Sequence, residues 1–434
     1  MSARRIIRTL AAAFAAAFLL AVSGQALAQP VTLVFQYRGD DGARVEAVQA
    51  WIAEFEAENP DIKIEYLPAP SGYQDRTIVS WAAGTGPDIT EIWGDWAQSY
   101  ARAGVLLDLR PYIERDFTAE DRADFWPVSW EASFVPEGPY KGEQFRAPRY
   151  MITTVYYYNQ EQIDAAGLVS PTVLDERGEW TYDALREMAR KLMVSDGNQV
   201  TRWGFTTNTR DYRRLSVWAR AFGGDFFNME DTREFLGAEQ GAVRAMQLLQ
   251  EMIWSDQSTS PTFIPNQFYN GAVALVEEGN HAVLSRFERN IQGSFRWNIA
   301  PVPVGPNGRK AYSGDDGFVI WRDTAHPDEA WRFVKFLVST RGQEIVAQHE
   351  GLAPVRRSAM PFYQELAPHL NMNVHMINML DAGLPTTSFL VGDVVGIANA
   401  VNNALTAVMV NNEKSWEVAA QEIKPVVESL ARQQ

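Results

Sequence analysis

The chain has 434 residues and carries Lys+Arg 39 against Asp+Glu 54, a formal net charge of −15. That acidity argues against a nucleic-acid partner and against an anionic membrane surface. It contains no cysteine, which rules out disulfides, thiol catalysis and Cys-based metal sites; a chain of this length builds enough core to do without cross-links.

The first residues read as an export signal. Arg4, Arg5 and Arg8 form a positive end, Leu10 to Val22 is almost wholly apolar, and Ala26-Leu27-Ala28 supplies the small-x-small cleavage pattern. Residues 1–28 are therefore expected to be a signal peptide. The apolar run is short and Ala-rich for a membrane span of about 30 Å. Cleavage removes three positive charges and leaves a mature chain at −18. No cysteine follows the cleavage position, so a free, exported protein is expected rather than a lipid-anchored one.

Val31–Tyr37 reads as a strand. Ala43–Glu58 carries Val45, Val48, Ile52 and Phe55 at helical spacing and is stopped by Asn59-Pro60. Ile62–Leu67 alternates as a second strand, a helix follows over 73–83, and Ile89–Ile92 forms a third strand. This order predicts a parallel sheet flanked by helices, with ligands beyond the carboxyl ends of its strands. Two strand ends lie there, Tyr37-Arg38-Gly39-Asp40 and Trp93-Gly94-Asp95-Trp96. The run Ala82–Asp95 (AAGTGPDITEIWGD) is the most informative. A carboxylate between two indoles suits a pyranose, whose apolar faces the rings cover and whose hydroxyls the carboxylate accepts. A strand-to-helix loop with core tryptophans is the alternative. Aromatics make up 12% of the chain, with 14 Trp, which suits carbohydrate contact and also large cores.

Further along, 153–158, 203–207, 272–276, 295–302 and 317–321 read as strands. Helices are expected over 160–166, 181–192, 212–222, 238–254, 327–338, 340–349 and from 399 onward, and 301–308 is a Pro- and Gly-rich crossing segment. No single polar linker divides the chain, so it is expected to cross between two α/β lobes more than once.

The order of these motifs resembles the extracellular solute-binding proteins of ABC importers, in the sugar-binding, maltose-binding type. The resemblance rests on AAGTGPDI, Tyr157-Tyr158-Asn159, Ala166-Gly167-Leu168, Trp180-Thr181 and FYNGAVALVEEG at Phe268–Gly279. It continues through Pro301-Val302-Pro303, Gly317–Ile320, His326-Pro327-Asp328-Glu329-Ala330-Trp331 and the segment 404–430. It implies a periplasmic binding protein-like fold of two hinged α/β lobes. Lobe 1 is expected over 29–149 and 304–345, and lobe 2 over 150–303 and 346–434. It further implies a sugar, oligosaccharide or polyol clamped between the lobes, delivery to membrane permease subunits, a periplasmic location and a monomeric state. A ligand touching both lobes favours the closed state by its differential affinity for that state.

The candidate ligand contacts are Tyr37, Trp93, Asp95, Trp96, Arg149, Trp218, Phe287, Asp315, Asp316 and Arg356. Asp88 is read as a brace for its loop. Arg38 has two readings, solvated or binding. Arg149 follows Pro148 at the expected first hinge and can fork onto vicinal hydroxyls; an ion pair with an acid is equally open. Trp218, in helical register with Leu215 and Phe222, is either cleft wall or core. Asp315 and Asp316 sit in a Gly-flanked loop before a strand, and Arg356 closes GLAPVR. No tight Arg or Lys cluster is visible along the chain, so a neutral sugar or polyol is preferred over a phosphorylated one.

The alternative is a secreted glycoside hydrolase or lyase using cleft carboxylates; a ligand-free scaffold ranks last. No nucleophile elbow, zinc motif or phosphate loop is present, and the five histidines lack metal-ligand spacing. The expectation is a binder with no cofactor, no metal and no nucleic-acid partner.

Overall fold

The computed structural model describes residues 29–433 except 40, 71, 93, 136–139, 198, 315 and 381–389; the side chains of 94, 95, 97, 98, 102 and 380 are also outside the description. The export-signal reading of 1–28 lies outside these residues. No helix among those described is long and apolar enough to cross a membrane.

The first sheet has the strand order β2-β1-β3-β10-β4, formed by β1 (Val31–Arg38), β2 (Ile62–Ala69), β3 (Ile89–Ile92), β4 (Ala147–Pro148) and β10 (Gly317–Ile320). β1 lies parallel to β2 in register from Val31↔Ile62 to Arg38↔Ala69, and parallel to β3 at Phe35↔Ile89. The expected parallel unit is present, and β10 then joins it antiparallel to both β3 and β4. Leu33, Phe35 and Tyr37, two residues apart, bury one face of β1 completely. Against that face lies α1 (Gly42–Glu58). Its first turn is capped by the Asp41 carboxylate, which accepts from the Ala43 N–H at 2.9 Å, and it buries Ala47, Val48, Trp51 and Phe55. α7 (Pro327–Leu337) and α8 (Thr340–Glu350) close this core: Phe333 meets Phe55, and the Trp51 indole donates to the Gly342 carbonyl at 2.9 Å.

Asp88 braces its loop as expected, accepting from the Val34 N–H at 2.8 Å and the Thr324 hydroxyl at 2.5 Å. Gly86 precedes it at φ +126, where a Cβ would stand 2.7 Å from the Ser80 hydroxyl and 2.9 Å from the Trp81 ring; only glycine fits without displacement. Immediately beyond β3 the chain enters α3 (Gly94–Ala103), so the stretch after Trp93 is the first turn of a helix.

The second sheet runs β6-β7-β8-β5-β9, made by β5 (Thr154–Asn159), β6 (Val194–Asp196), β7 (Gln199–Thr206), β8 (Val273–Gly279) and β9 (Trp297–Ala300). Here β5 is antiparallel to both β8 and β9, and β7 is parallel to β8. Every residue of β5 and β8 is buried. Helices α4 (Tyr182–Leu192), α5 (Tyr212–Ala221), α6 (Gln240–Trp254), α9 (Val394–Leu405) and α10 (Trp416–Ala431) pack on one core with Trp180, Trp218 and Trp416. Thr181 caps α4 by accepting from the Ala184 N–H at 3.1 Å.

Two segments run between the two sheets, 149–153 and the one that reaches β10 through Ser313, Gly314 and Asp316, and 351–355 lies beside them. The Arg149 N–H donates to the Asp316 carbonyl (3.1 Å), the Gly314 N–H to the Ile152 carbonyl (3.2 Å), and the Met151 N–H to the Ala353 carbonyl (2.8 Å). The Gln343 side chain stitches the bundle, donating to the Arg149 carbonyl at 2.8 Å and accepting from the Val355 N–H at 2.8 Å.

Candidate functional site

The carboxyl end of β1, the end of β3 and the first crossing segment meet at a buried charged layer. Arg149 is its centre, 1% exposed. Its Nη2 donates to Glu350 Oε2 at 2.6 Å and also to the Tyr37 hydroxyl, and its Nη1 stands 3.2 Å from Glu91 Oε2. The Tyr37 hydroxyl in turn donates to Glu350 Oε1 at 2.6 Å. Arg38 forks onto Glu91 through Nε and Nη2, and Arg44 approaches Glu350 at 3.6 Å. Burial alone would push the Glu91 carboxyl up; Arg149 and Arg38 overcome that and hold it below the usual carboxylate range. Burial pushes the Tyr37 hydroxyl well up, so it stays protonated and can donate.

The facing wall comes from the end of β8 and the turn after it. Alternation along this strand sends Glu277 and Glu278 to opposite faces. Glu278 accepts from Arg214 and Arg286 at 2.6 Å each and from the Gly279 N–H at 2.7 Å. Burial opposes its charge, but Arg214, His281, Arg286 and that N–H bring its pKa down to about 2. His281 follows two residues later, and burial brings it down to about 4. Glu278 opposes that shift, and Arg214, Arg286 and Arg38 deepen it. Arg38, at the end of β1, is the smallest of these influences. Asn280 fixes the turn: its side chain accepts from the Thr153 N–H at 3.1 Å and donates to the Met151 carbonyl at 3.0 Å. Glu277 instead enters the second core, where the Trp218 indole donates to it at 3.0 Å and burial pushes its pKa up.

The residues singled out from sequence separate into three groups. Arg149 and Asp316 meet at the crossing segments, with the Asp316 carboxylate 4.0 Å from Arg149 Nη1. Four others take structural places. Tyr37 lies with its ring in the first core and only its hydroxyl in the charged layer. Trp218 is fully buried against Tyr182 at 4.6 Å, and Phe287 is fully buried, stacked on Tyr157 at 3.9 Å; both fill cores because a large aromatic at the centre of a helix face buries more apolar area there than at a cleft wall. Arg356 is pinned inside the first lobe, on the Asp124 carboxylate at 3.2 Å and over the Phe125 ring at 4.1 Å, and so does not reach the gap. Trp96 is half-buried and packs on the cluster of Trp81, Ile92 and Tyr100. Trp93, the Asp95 side chain and Asp315 lie outside the described residues.

Sequence reasoning missed Glu91, Glu278 and His281 as site residues and left Arg38 undecided. It also saw no arginine cluster, whereas Arg38, Arg149, Arg214 and Arg286 gather here from four distant segments.

Residues 39–344 match the family of bacterial extracellular solute-binding proteins. The chain belongs to that family. Among curated relatives of this solute-binding protein is an arabinooligosaccharide-binding protein of Halalkalibacterium halodurans, 23% identical over 74% of this chain and 70% of the relative. Another is an sn-glycerol-3-phosphate-binding periplasmic protein of Escherichia coli, 22% identical over 81% of this chain and 80% of the relative. The solved ABC substrate-binding protein of Listeria monocytogenes in complex with cycloalternan superposes with a TM-score of 0.76, at 21% identity, covering 94% of this chain and all of that one. The fold of this solute-binding protein is accordingly α/β and periplasmic binding protein-like.

Proposed function

We propose that the protein is the exported substrate-binding component of an ABC importer, taking a carbohydrate or polyol between its lobes and delivering it to membrane permease subunits from the periplasm, as a monomer. One observation carries the reading: polar side chains gather at the strand ends of two separate sheets, beside the segments that join those sheets. A guest touching both walls favours the closed arrangement by its contacts to the second wall. Asp316 and Arg149 on the crossing segments, with Trp96 and Asp95 at the head of α3, are the sequence-derived contacts kept in this proposal, now joined by Arg38, Glu91 and His281.

Binding without catalysis fits the carboxylates. Glycoside hydrolysis needs one carboxyl held protonated near its partner carboxylate. Glu91 and Glu278 are held ionised by arginines, and the carboxyl whose pKa is raised, Glu277, faces the second core. Thermal shift across neutral sugars, oligosaccharides, polyols and their acidic derivatives, paired with small-angle scattering, tests this. The expected outcome is stabilisation by at least one member with a smaller radius of gyration and no new reducing ends. Steady release of reducing ends, or a profile that no panel member changes, would overturn it.

A further inference from the structure

The charge of the cleft is unevenly shared between its two walls. On the first wall three arginines, Arg38, Arg44 and Arg149, stand among three carboxylates, Glu91, Glu350 and Asp316. Those charges balance. On the second wall Arg214 and Arg286 share the single carboxylate of Glu278. The nearest other acid, Asp211, is 4.0 Å from Arg214 and already holds Arg213 at 2.9 Å. Glu277, just behind, faces the second core and accepts from the Trp218 indole at 3.0 Å rather than from either arginine. Among the described residues the second wall therefore carries surplus positive charge, in a chain whose overall net charge is −15.

Hydrogen-bond capacity points the same way. Both oxygens of Glu278 are taken, one by each arginine, and both oxygens of Glu91 and Glu350 are also engaged by guanidinium groups or the Tyr37 hydroxyl. Arg214 Nη1 and Arg286 Nε have no acceptor, and on the first wall neither do Arg149 Nε and Nη1. A wall with spent acceptors and spare charged donors suits a guest that accepts hydrogen bonds and carries negative charge. The imidazole of His281 records the same field, because Arg214, Arg286 and Arg38 all disfavour its proton.

We infer that the guest carries an anionic group, a carboxylate or a phosphate, received on the second lobe by Arg214 and Arg286 beside His281; this rests on the carbohydrate reading above. The anion takes the donors of Arg214 and Arg286 that Glu278 leaves open. This inference departs from the sequence-based preference for a neutral guest.

Titration calorimetry on the full mature chain tests this with matched pairs: D-galacturonate against D-galactose, D-glucuronate and glucose 6-phosphate against D-glucose, and inorganic phosphate alone. The charged member of at least one pair should bind about tenfold or more tighter than its neutral partner, and that advantage should shrink as salt rises from about 50 to about 500 mM. Arg286→Gln, a change at a partly exposed side chain that leaves the core intact, should cost about tenfold or more in affinity for the charged member; Arg286→Lys should restore part of it. A neutral sugar bound as tightly as its acid, or an Arg286→Gln variant with unchanged affinity, overturns the inference and leaves the carbohydrate reading standing. Phosphate binding without any sugar binding keeps the anion site and overturns the carbohydrate reading. Silence across every probe overturns the inference, and silence across the wider thermal-shift panel overturns the carbohydrate reading.

Discussion

Arg149→Gln removes the cation on which the charged layer closes. The side chains of Arg149, Glu91 and Glu350 are 1%, 1% and 3% exposed, so water cannot replace the lost partner. Glu350 would keep the Tyr37 hydroxyl and the more distant Arg44, and Glu91 would keep Arg38. Breaking a buried pair by deleting one member costs about 3–5 kcal/mol, because the remaining charge stays desolvated. For a lobe of roughly 200 residues that corresponds to a fall of about 10 °C in its melting temperature. Scanning calorimetry at pH 7 is the assay, with Glu350→Gln and the double variant closing a cycle. The double variant should be less damaging than the sum of the singles by more than about 1 kcal/mol, since neutralising Glu350 relieves the orphaned charge. The acid limb gives a second readout. Glu91 has a folded pKa below its unfolded value, so its contribution is present above about pH 4.5 and is lost as the pH falls below it. With Arg149 gone that loss should be shallower. A melting temperature within about 3 °C of wild type, with an unchanged acid limb, would refute the view of Arg149 as the centre of the layer.

Arg356→Ala should lower the melting temperature by several degrees, through loss of the Asp124 pair and of packing on Phe125, and leave ligand affinity within about twofold; a large affinity loss with intact stability would return it to the cleft. Glu277→Gln should change stability at pH 7 by no more than about 1 kcal/mol. The native Glu277 pKa is raised, so its contribution is present below the unfolded value and is lost as pH rises through the folded one; the variant should lack that alkaline loss in pH-dependent urea unfolding. Glu278→Gln should remove an acid-limb loss. Lowering a carboxyl from 4.5 to about 2 is worth about 3 kcal/mol at most, present above about pH 4.5 and lost on acidification toward pH 2; a variant whose stability falls with acid as steeply as wild type would contradict the assignment.

The first lobe was legible because its elements carry clean periods. Leu33, Phe35 and Tyr37 alternate, and Val48, Phe55 and their neighbours recur at helical spacing, so strand, helix, strand and their parallel order could be read locally. The second sheet was not legible in its directions. β5 and β8 are buried on both faces and show no alternation, and the lengths between them do not tell an antiparallel neighbour from a crossover. The site failed in part for the same reason that cores form. Trp218 and Phe287 are large apolar surfaces that gain more by full burial than by facing a cleft. A signal for the second wall did exist: polar residues directly after a buried run, as in Glu278-Gly279-Asn280-His281. The strand-end rule that drew attention to Arg38 and Asp95 applies there equally and was not extended to β8. Arg149 with Glu91 and Glu350 had no such signal, because ion pairing between residues 58 and 201 positions apart depends wholly on the crossing segments.

Those segments also explain why the charged layer is built as it is. Arg149 sits on the first crossing, its backbone N–H held by the Asp316 carbonyl of the second and its carbonyl by Gln343, which also holds the neighbouring segment through Val355. A rotation of one lobe on the other must work through these bonds, so the guanidinium is fixed to the pivot while the carboxylates it holds, Glu91 and Glu350, belong to the first lobe. The first wall is therefore rigid and charge-balanced before any guest arrives. The second wall shares Glu278 between two arginines, and both walls keep donors to spare: Arg149 Nε and Nη1 on the first, Arg214 Nη1 and Arg286 Nε on the second. An asymmetric cleft of this kind has a direction to its binding: the guest seats its charge on the second lobe, and the gain from meeting the first wall is available only on closing. In such a design closure depends on differential contact with the second surface to be engaged, and a guest that satisfies one wall alone binds without shifting the lobes.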